Sequence, residues 1–540
     1  MLPCHATGPG AGLIPRYRII NQHMGAVIIW KLDAFTIPNS ECRFHPTKGS
    51  LIVHLCCYLA SLRLRPFRPR HSGGLTASVI LMGILFAVPG TAQPVTVTPP
   101  PSTAEDPSPP PKTTQAPPGF WERDTLTGDW GGLRTELEQA GIKFGLQEES
   151  ELWVNTLGGL KRGATYNGLT AASLSLDLDK LAGWAGASIF VNVFQIHGRG
   201  PSANLVGNMQ LVSNIEATRA TKLYNLWLEQ VLLNERLNIR LGQEGSNDEM
   251  MVVPSAALFL NSSFGFPALP AAVLPSGGPN YPMATPFVRV RYRATDSITL
   301  VSAVYNGDPA PPGTGDPQQR DKYGTAFRLN DHVLVFNELW YTTDKILPGL
   351  SGLYKLGAWY HSASFADQEF DQFGVPLASP ASNGIARQDG KGYALYGIMD
   401  QMVWRRSGTK DQGISLWLQV QGAPGDRNLS NLFIEAGMTW KAPFPGRDND
   451  AFGLGMSYQG ISPAARRFSR DVVFFTGSGT PYLGNETVVE ATYLYQITPW
   501  WTMQPDAQYI VNPGAGIGSN PGAKPLRDAF IIGVRATITF

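Results

Sequence analysis

The chain ends on Ala529–Phe540, "AFIIGVRATITF". Counting back by twos from the end gives Phe540, Ile538, Ala536, Val534 and Ile532. The positions between are Thr539, Thr537, Arg535, Gly533 and Ile531. Successive side chains on a strand point to opposite faces, so this is a strand with one apolar and one wetter face. A soluble sandwich would bury the apolar face in a core, whereas a membrane barrel turns it to lipid. About ten residues also suffice to cross a bilayer as a tilted strand. The rest of the chain decides between the two.

Composition narrows the choice. The 540 residues carry a formal charge of +1, so neither sign dominates and nucleic acid is not the expected partner. Charged residues are only 16%, against about 25% in ordinary soluble proteins. All four cysteines (Cys4, Cys42, Cys56, Cys57) lie near the start, so the main body has neither a disulfide nor a Cys-ligated zinc site. No run of 18 apolar residues follows residue 93, which argues against a helical span there.

The amino-terminal region reads as an address. Arg63, Arg65, Arg68 and Arg70 precede the apolar run "LTASVILMGILFAVPG" and the small-residue stretch ending at Ala92. Basic, apolar, then small is the plan of a secretory signal peptide, here 63–92 with cleavage after Ala92. Residues 1–62 then read as an upstream extension not normally made. Translation would start at a non-AUG codon, because no Met lies between Met24 and Met82. The mature chain has 34 basic and 40 acidic groups, a net of −6. Residues 93–118 are a Pro/Thr-rich linker. In 119–142, Asp129 as N-cap and Trp130, Leu133, Leu137 and Ala140 at helical spacing predict a short amphipathic helix over 129–140.

From residue 143 onward, alternating segments recur, and sixteen strands are expected: 143–156, 169–182, 186–198, 223–233, 236–244, 286–295, 297–306, 332–343, 352–363, 392–405, 413–422, 430–441, 451–460, 486–498, 501–512 and 528–540. "GTAFRLN" at 324–330 is assigned to a long loop. With that assignment, short turns such as "LNER" and "ATDS" alternate with mostly long connections, of which 245–284 is an example. An even strand number, short periplasmic turns and long outer loops describe an all-β, transmembrane antiparallel barrel over 143–540 in a Gram-negative outer membrane. The alternation within strands agrees: Ile414, Leu416, Leu418 and Val420 alternate with Ser415, Trp417, Gln419 and Gln421. Phe540 and Ile538 then face lipid, and a terminal Phe in this pattern resembles the signal read by the barrel assembly machinery. Lipid and lipopolysaccharide are the expected surroundings, and monomer and trimer both fit the pattern.

Several phrases in the same order resemble the carbohydrate-selective porins of the OprB type. They are "LTGDWGGLRTELEQAGI", "FQIHGRG", "NIEAT", "YNLWLEQ", "ALFLNSSFGFPALPAAVLPSGGPNYPMATPFVRVRYRATD" and "VYNGDPAPPG". The resemblance runs from about Phe120 to Phe540. It implies a sixteen-stranded barrel and uptake of mono- or small oligosaccharides by facilitated diffusion. The alternative function is a nonselective or anion-preferring diffusion pore. A barrel enzyme finds no GxSxG or supported Ser/His pair, and an adhesin or structural barrel finds no large plug.

Facilitated diffusion needs a wet path, a constriction and weak binding, with no cofactor and no metal. Carboxylates, Arg and amides bond sugar hydroxyls, and aromatic planes pack on sugar rings. Arg289, Arg291 and Arg293 share one face of a strand, and facing lipid would cost each about 2–4 kcal/mol, so they line the lumen. Glu149, Glu151 and Trp153 share a face, as do Trp227 and Glu229, and Asp177, Arg240 and Glu435 are further inward candidates. The arginine ladder with Glu149, Glu151 and Glu229 is expected to set a transverse field at the constriction. His197 reads as loop polarity. "SNDE" (246–249) and "DQEFDQ" (367–372) are the acidic segments where a loop calcium site would be sought, though their spacing fits no such motif. The apolar loop 245–284 is expected to fold inward and narrow the pore.

Overall fold

The computed structural model describes residues 119–477, 483–516 and 525–540. The expected upstream extension, signal peptide and linker lie outside the described residues. Sixteen strands form one closed antiparallel barrel in which each pairs with its chain neighbours and the first with the last. In the first half these are β1 (Ile142–Gly159), β2 (Gly163–Asp177), β3 (Ala187–Gly198), β4 (Ala220–Leu232), β5 (Leu237–Glu244), β6 (Thr285–Arg293), β7 (Ile298–Asn306) and β8 (Val333–Leu347). The second half comprises β9 (Leu350–Asp371), β10 (Ala386–Arg405), β11 (Gly413–Gly422), β12 (Ser430–Lys441), β13 (Ala451–Ile461), β14 (Glu486–Thr498), β15 (Trp501–Val511) and β16 (Arg527–Thr539). Closure satisfies every strand edge, a condition for spanning hydrocarbon.

The period of two sorts side chains by solvent. On β6, Val288, Val290 and Tyr292 are exposed on the outer surface, while Phe287 and Arg289 between them are buried. On β16, Phe530 and Ile532 face outward and Ala529 and Ile531 are buried inside. The seam pairs Gln147 with Thr539 and Trp153 with Gly533, where any side chain at 533 would collide with the Trp153 ring. Phe540 N–H donates to the Leu146 carbonyl (2.9 Å), so the last residue is tied into the seam.

Two connections on the long-loop side are short, 160–162 and 423–429, and the 324–330 segment lies in the loop between β7 and β8 without forming a strand. β9 and β10 run to 22 and 20 residues, well beyond the length needed to cross, and so project past the membrane as a hairpin. At the other end Phe120, Trp121, Trp500 and Trp501 form a ring cluster, and the Trp500 indole donates to the Phe120 carbonyl (3.1 Å). Aromatic girdles of this kind sit at the membrane–water boundary.

The amino-terminal helix differs in detail from the expected one. Gly131 and Gly132 have positive φ, so a single 3-10 turn (Trp130–Gly132) precedes the helix Leu133–Gln139. Asp129 does not cap the first turn; its carboxylate accepts from the Thr135 N–H and hydroxyl (both 2.9 Å). Trp130 and Leu133 are exposed, so the helix buries no apolar stripe. It docks through Arg134, which donates to the Phe540 carbonyl (2.9 Å).

Candidate functional site in the lumen

The loop 245–284 enters the barrel. Met250, Met251, Phe259, Phe264 and Leu269 pack on an apolar inner wall that includes Phe287, Tyr305, Phe336, Trp359, Trp417 and Phe433. Burial of this much apolar surface drives the loop inward, but it also removes loop amides from water, and each then needs a partner. Wall carboxylates serve: Glu338 accepts from Met251 N–H (2.7 Å), Asp400 from Ser255 N–H (2.7 Å), and Glu490 from Leu260 and Asn261 N–H (2.6 and 2.9 Å). Lys355 donates to the Val252 carbonyl (2.8 Å) and Gln504 to Leu258 (2.7 Å). The loop thus follows the inner circumference past β8, β9 and β10 to β14 and β15. Gly453 and Gly455 carry no side chains where the Phe259 ring presses on the wall.

A second inward segment, 199–219, lies against the first. Asn214 N–H donates to the Leu260 carbonyl (2.7 Å) and Ser262 N–H to Leu211 (2.9 Å). Within it Glu216 accepts from Ser202 N–H (3.0 Å) and from the Ser202 hydroxyl. Burial pushes the Glu216 carboxyl up from 4.5 to about 7.

Three cation–carboxylate–tryptophan stations stand around the remaining lumen. At the first, Arg240 on β5 pairs with Glu229 on β4 (2.8 Å) and Glu244 (2.9 Å), and its guanidinium lies 4.1 Å from the centroid of the Trp227 ring. Arg240 and Arg289 are cross-strand neighbours. Their like charges are held together by Glu249 of the inward loop, which meets Arg289 at 2.5 Å and Arg291 at 3.1 Å, and by Glu229, 3.1 Å from Arg289. Arg289 and Glu244 are fully buried, whereas 39% of the Arg291 side chain, 18% of Arg240 and 16% of Glu229 meet water. The buried members are held in the wall, and the partly exposed ones meet water.

The second station is at the seam. Arg535 on β16 meets Glu149 (3.2 Å) and Glu151 (2.5 Å) on β1. Glu151 also accepts from the Trp153 indole and from Asn167 (both 2.8 Å). At the third, Lys355 on β9 lies 3.8 Å from Glu338 and 4.3 Å from the Trp340 ring centroid, and the Trp340 indole donates to Glu338 (2.5 Å).

The remaining sequence candidates sit elsewhere. Asp177 ends β2 and its carboxylate caps the helix Leu178–Ala182 through Asp179 N–H (3.0 Å); it belongs to a periplasmic turn, not the lumen, because the strand stops five residues earlier than expected. Glu435 faces inward on β12 but is buried apart from the arginines. Arg293 is half-buried and forms no ion pair among the described residues. His197 is on the outer face of β3, not in a loop, with Tyr166 OH at 3.0 Å and Glu148 at 3.3 Å. Carboxylates of the two acidic segments are taken up by arginines and, among the described residues, do not gather into a metal-ligating cluster: Glu249 pairs with Arg289 and Arg291, whereas Asp367 pairs with Arg387 and Glu369 with Arg467. Arg535, Glu244, Glu249, Glu338 and Lys355 were missed. Arg535 had a visible signal, its place on the wetter face of the terminal strand.

The model of the family described as "Carbohydrate-selective porin, OprB family" matches residues 161–540. The chain is 24% identical to Porin B of Pseudomonas aeruginosa over 434 residues, covering 77% of this chain and 91% of that protein. It is 23% identical to the putative porin QuiX of Acinetobacter baylyi over 461 residues, 78% of this chain and 94% of that one. Among solved structures, the high pH structure of Pseudomonas putida OprB superimposes with a TM-score of 0.70 at 22% identity, covering 78% of this chain and all of that one.

Proposed function

The chain belongs to the OprB family of carbohydrate-selective porins, and from that footing we propose how its lumen handles a sugar. It is an outer-membrane barrel through which carbohydrates diffuse into the periplasm, a channel rather than an enzyme. The path runs between the water-facing groups of the stations: Arg240, Arg291 and Glu229 on one side, and Glu149, anchored by the buried Arg535, on another. Sugar hydroxyls exchange water for these charged donors and acceptors, and the apolar ring surfaces pass the half-buried Trp340 and the edge of Trp227, whose faces hold Phe190 and Arg240. Charges already paired with one another bind a neutral solute weakly, which release requires. The inward loop sets the aperture. The observation that carries this reading is the pairing of cation, carboxylate and indole three times around one lumen.

An anion-preferring general pore is the second reading, favoured by Arg291, the most water-exposed charge of the first station. Single-channel conductance of the purified barrel in a planar bilayer, with glucose, a disaccharide and a neutral polyol titrated in, separates the two. Saturable, sugar-dependent block supports the selective reading. Steady channels that no sugar perturbs leave the general pore. Phe540 and Ile538 are proposed as the segment engaged by the assembly machinery during insertion.

A further inference from the structure

The connection between β13 and β14 carries the helix Pro463–Thr476, capped by Ser462, whose hydroxyl oxygen accepts from Ala465 N–H (3.2 Å). The helix lies at the long-loop rim, tied by Ser462 N–H to the Leu429 carbonyl (2.8 Å). Its two sides differ. Arg467 turns to the projecting β9–β10 hairpin and pairs with Glu369 (2.7 Å). Arg466 and Arg470, one turn apart, instead line a groove of about 330 Å³ with Leu432, Tyr458, Gly460 and Pro463.

The floor of that groove is the outer wall of the barrel. Leu432 pairs with Gly460 and Ile434 with Tyr458 across β12 and β13. These positions share the outward face with Leu454 and Met456, both exposed to the hydrocarbon side. Gly460 keeps the floor open, because a side chain there would press on Leu432 and Tyr458. Arg466 is held by the Ile461 carbonyl (3.0 Å) and Asn485, so its guanidinium is fixed in place. Arg470 is exposed and forms no ion pair among the described residues. Phe474, another turn along the same stripe, is 79% exposed.

Two guanidinium forks above an apolar floor that continues into the lipid-facing wall make a site for a molecule with anionic oxygens at one end and hydrocarbon at the other. We propose that this groove binds the phosphorylated headgroup of an outer-leaflet glycolipid. Arg470 takes the phosphate with its fork, and Arg466, whose Nε and Nη2 hold the Ile461 carbonyl and Asn485, adds its Nη1 edge. An acyl chain runs down over Leu432, Tyr458 and Met456, and Phe474 enters the leaflet beside it. A soluble phosphate would leave that floor unused.

The test titrates the full-length purified barrel in detergent with diphosphorylated lipid A, with its dephosphorylated form and with inorganic phosphate, read by native mass spectrometry. Each arginine at a membrane surface contributes about a fivefold factor in affinity. The wild type is expected to prefer the phosphorylated lipid, and Arg470→Ala to lose about fivefold of that preference while keeping its sugar block. Arg470→Lys should retain part of it. Arg466→Ala also loosens the loop, so Arg470 is the decisive position. Equal binding by wild type and Arg470→Ala overturns the proposal, as does indifference to the lipid phosphates. Inorganic phosphate displacing the lipid at equal concentration overturns the lipid assignment.

Discussion

Arg289 Nε lies 2.5 Å from Glu249 Oε2, so a buried wall arginine is joined to the loop that lines the lumen. Arg289 is fully buried, and 9% of the Glu249 side chain is exposed. Removing one partner of such a pair strands the other charge, at a cost of about 3–5 kcal/mol. Arg289→Ala is therefore expected to loosen the loop, seen as faster amide exchange at Met250 and Met251 and a larger single-channel conductance. Arg289→Met with Glu249→Leu should recover most of the loss. Unchanged exchange in the single variant would show that the pair does not hold the loop.

Trp227 tests the sugar path. Its ring stacks on Phe190 with centroids 5.1 Å apart and lies under Arg240. Loss of an aromatic face is worth about 0.5–1.5 kcal/mol, so Trp227→Ala should weaken sugar block about two- to tenfold. The same variant should scarcely move open-channel conductance. Sugar titration of current noise measures both, and an unaltered block constant would remove Trp227 from the path.

Arg291 tests the field. Because 39% of its side chain meets water, its ion pair contributes under about 1 kcal/mol to stability. Arg291→Glu should leave folding intact and shift the zero-current potential in a salt gradient toward cation preference. A potential that does not move would place the ion path away from β6.

Facing can be checked on two adjacent residues. Val288 is 50% exposed on the outer wall beside fully buried Arg289. Val288→Arg should cost about 2–4 kcal/mol if it lies at bilayer mid-depth, read as a lower denaturant midpoint in lipid vesicles. A neutral result would mean that β6 is shifted in register or that position 288 lies near an interface.

Acidity should tighten the segment 199–219. The folded segment keeps a proton on Glu216 up to about pH 7, whereas a solvated glutamate releases it near 4.5. A raised folded value favours the docked state fully below pH 4.5, and that advantage is lost as pH rises through 7. Amide exchange at Ser202 should accordingly accelerate between pH 4.5 and 7 beyond the intrinsic rate. Glu216→Gln should flatten the change; a profile identical in the variant would assign the effect to another group.

The strand number, the facing of each wall and the terminal strand were legible in the residues, because each depends on a period of two within ten neighbours. A lipid outside and water inside write themselves directly onto that alternation. Arg289, Arg291, Glu229, Glu149 and Trp227 were readable as inward for the same reason. The ends of elements were less so: Asp177 reads as one more inward position, but the chain turns into a helix at Leu178.

Which inward groups meet was settled by tertiary structure. Arg535 and Glu151 are 384 residues apart and touch only because β16 closes on β1. Glu249 reaches the arginines only because apolar loop residues beside it are buried against the inner wall, and because Glu338, Asp400 and Glu490 satisfy the amides that burial strips of water. Alternation is local, so the residues of one strand carry it alone. Ion pairing across a lumen depends on closure and on the route of a loop, and both are set by contacts between residues far apart in the chain.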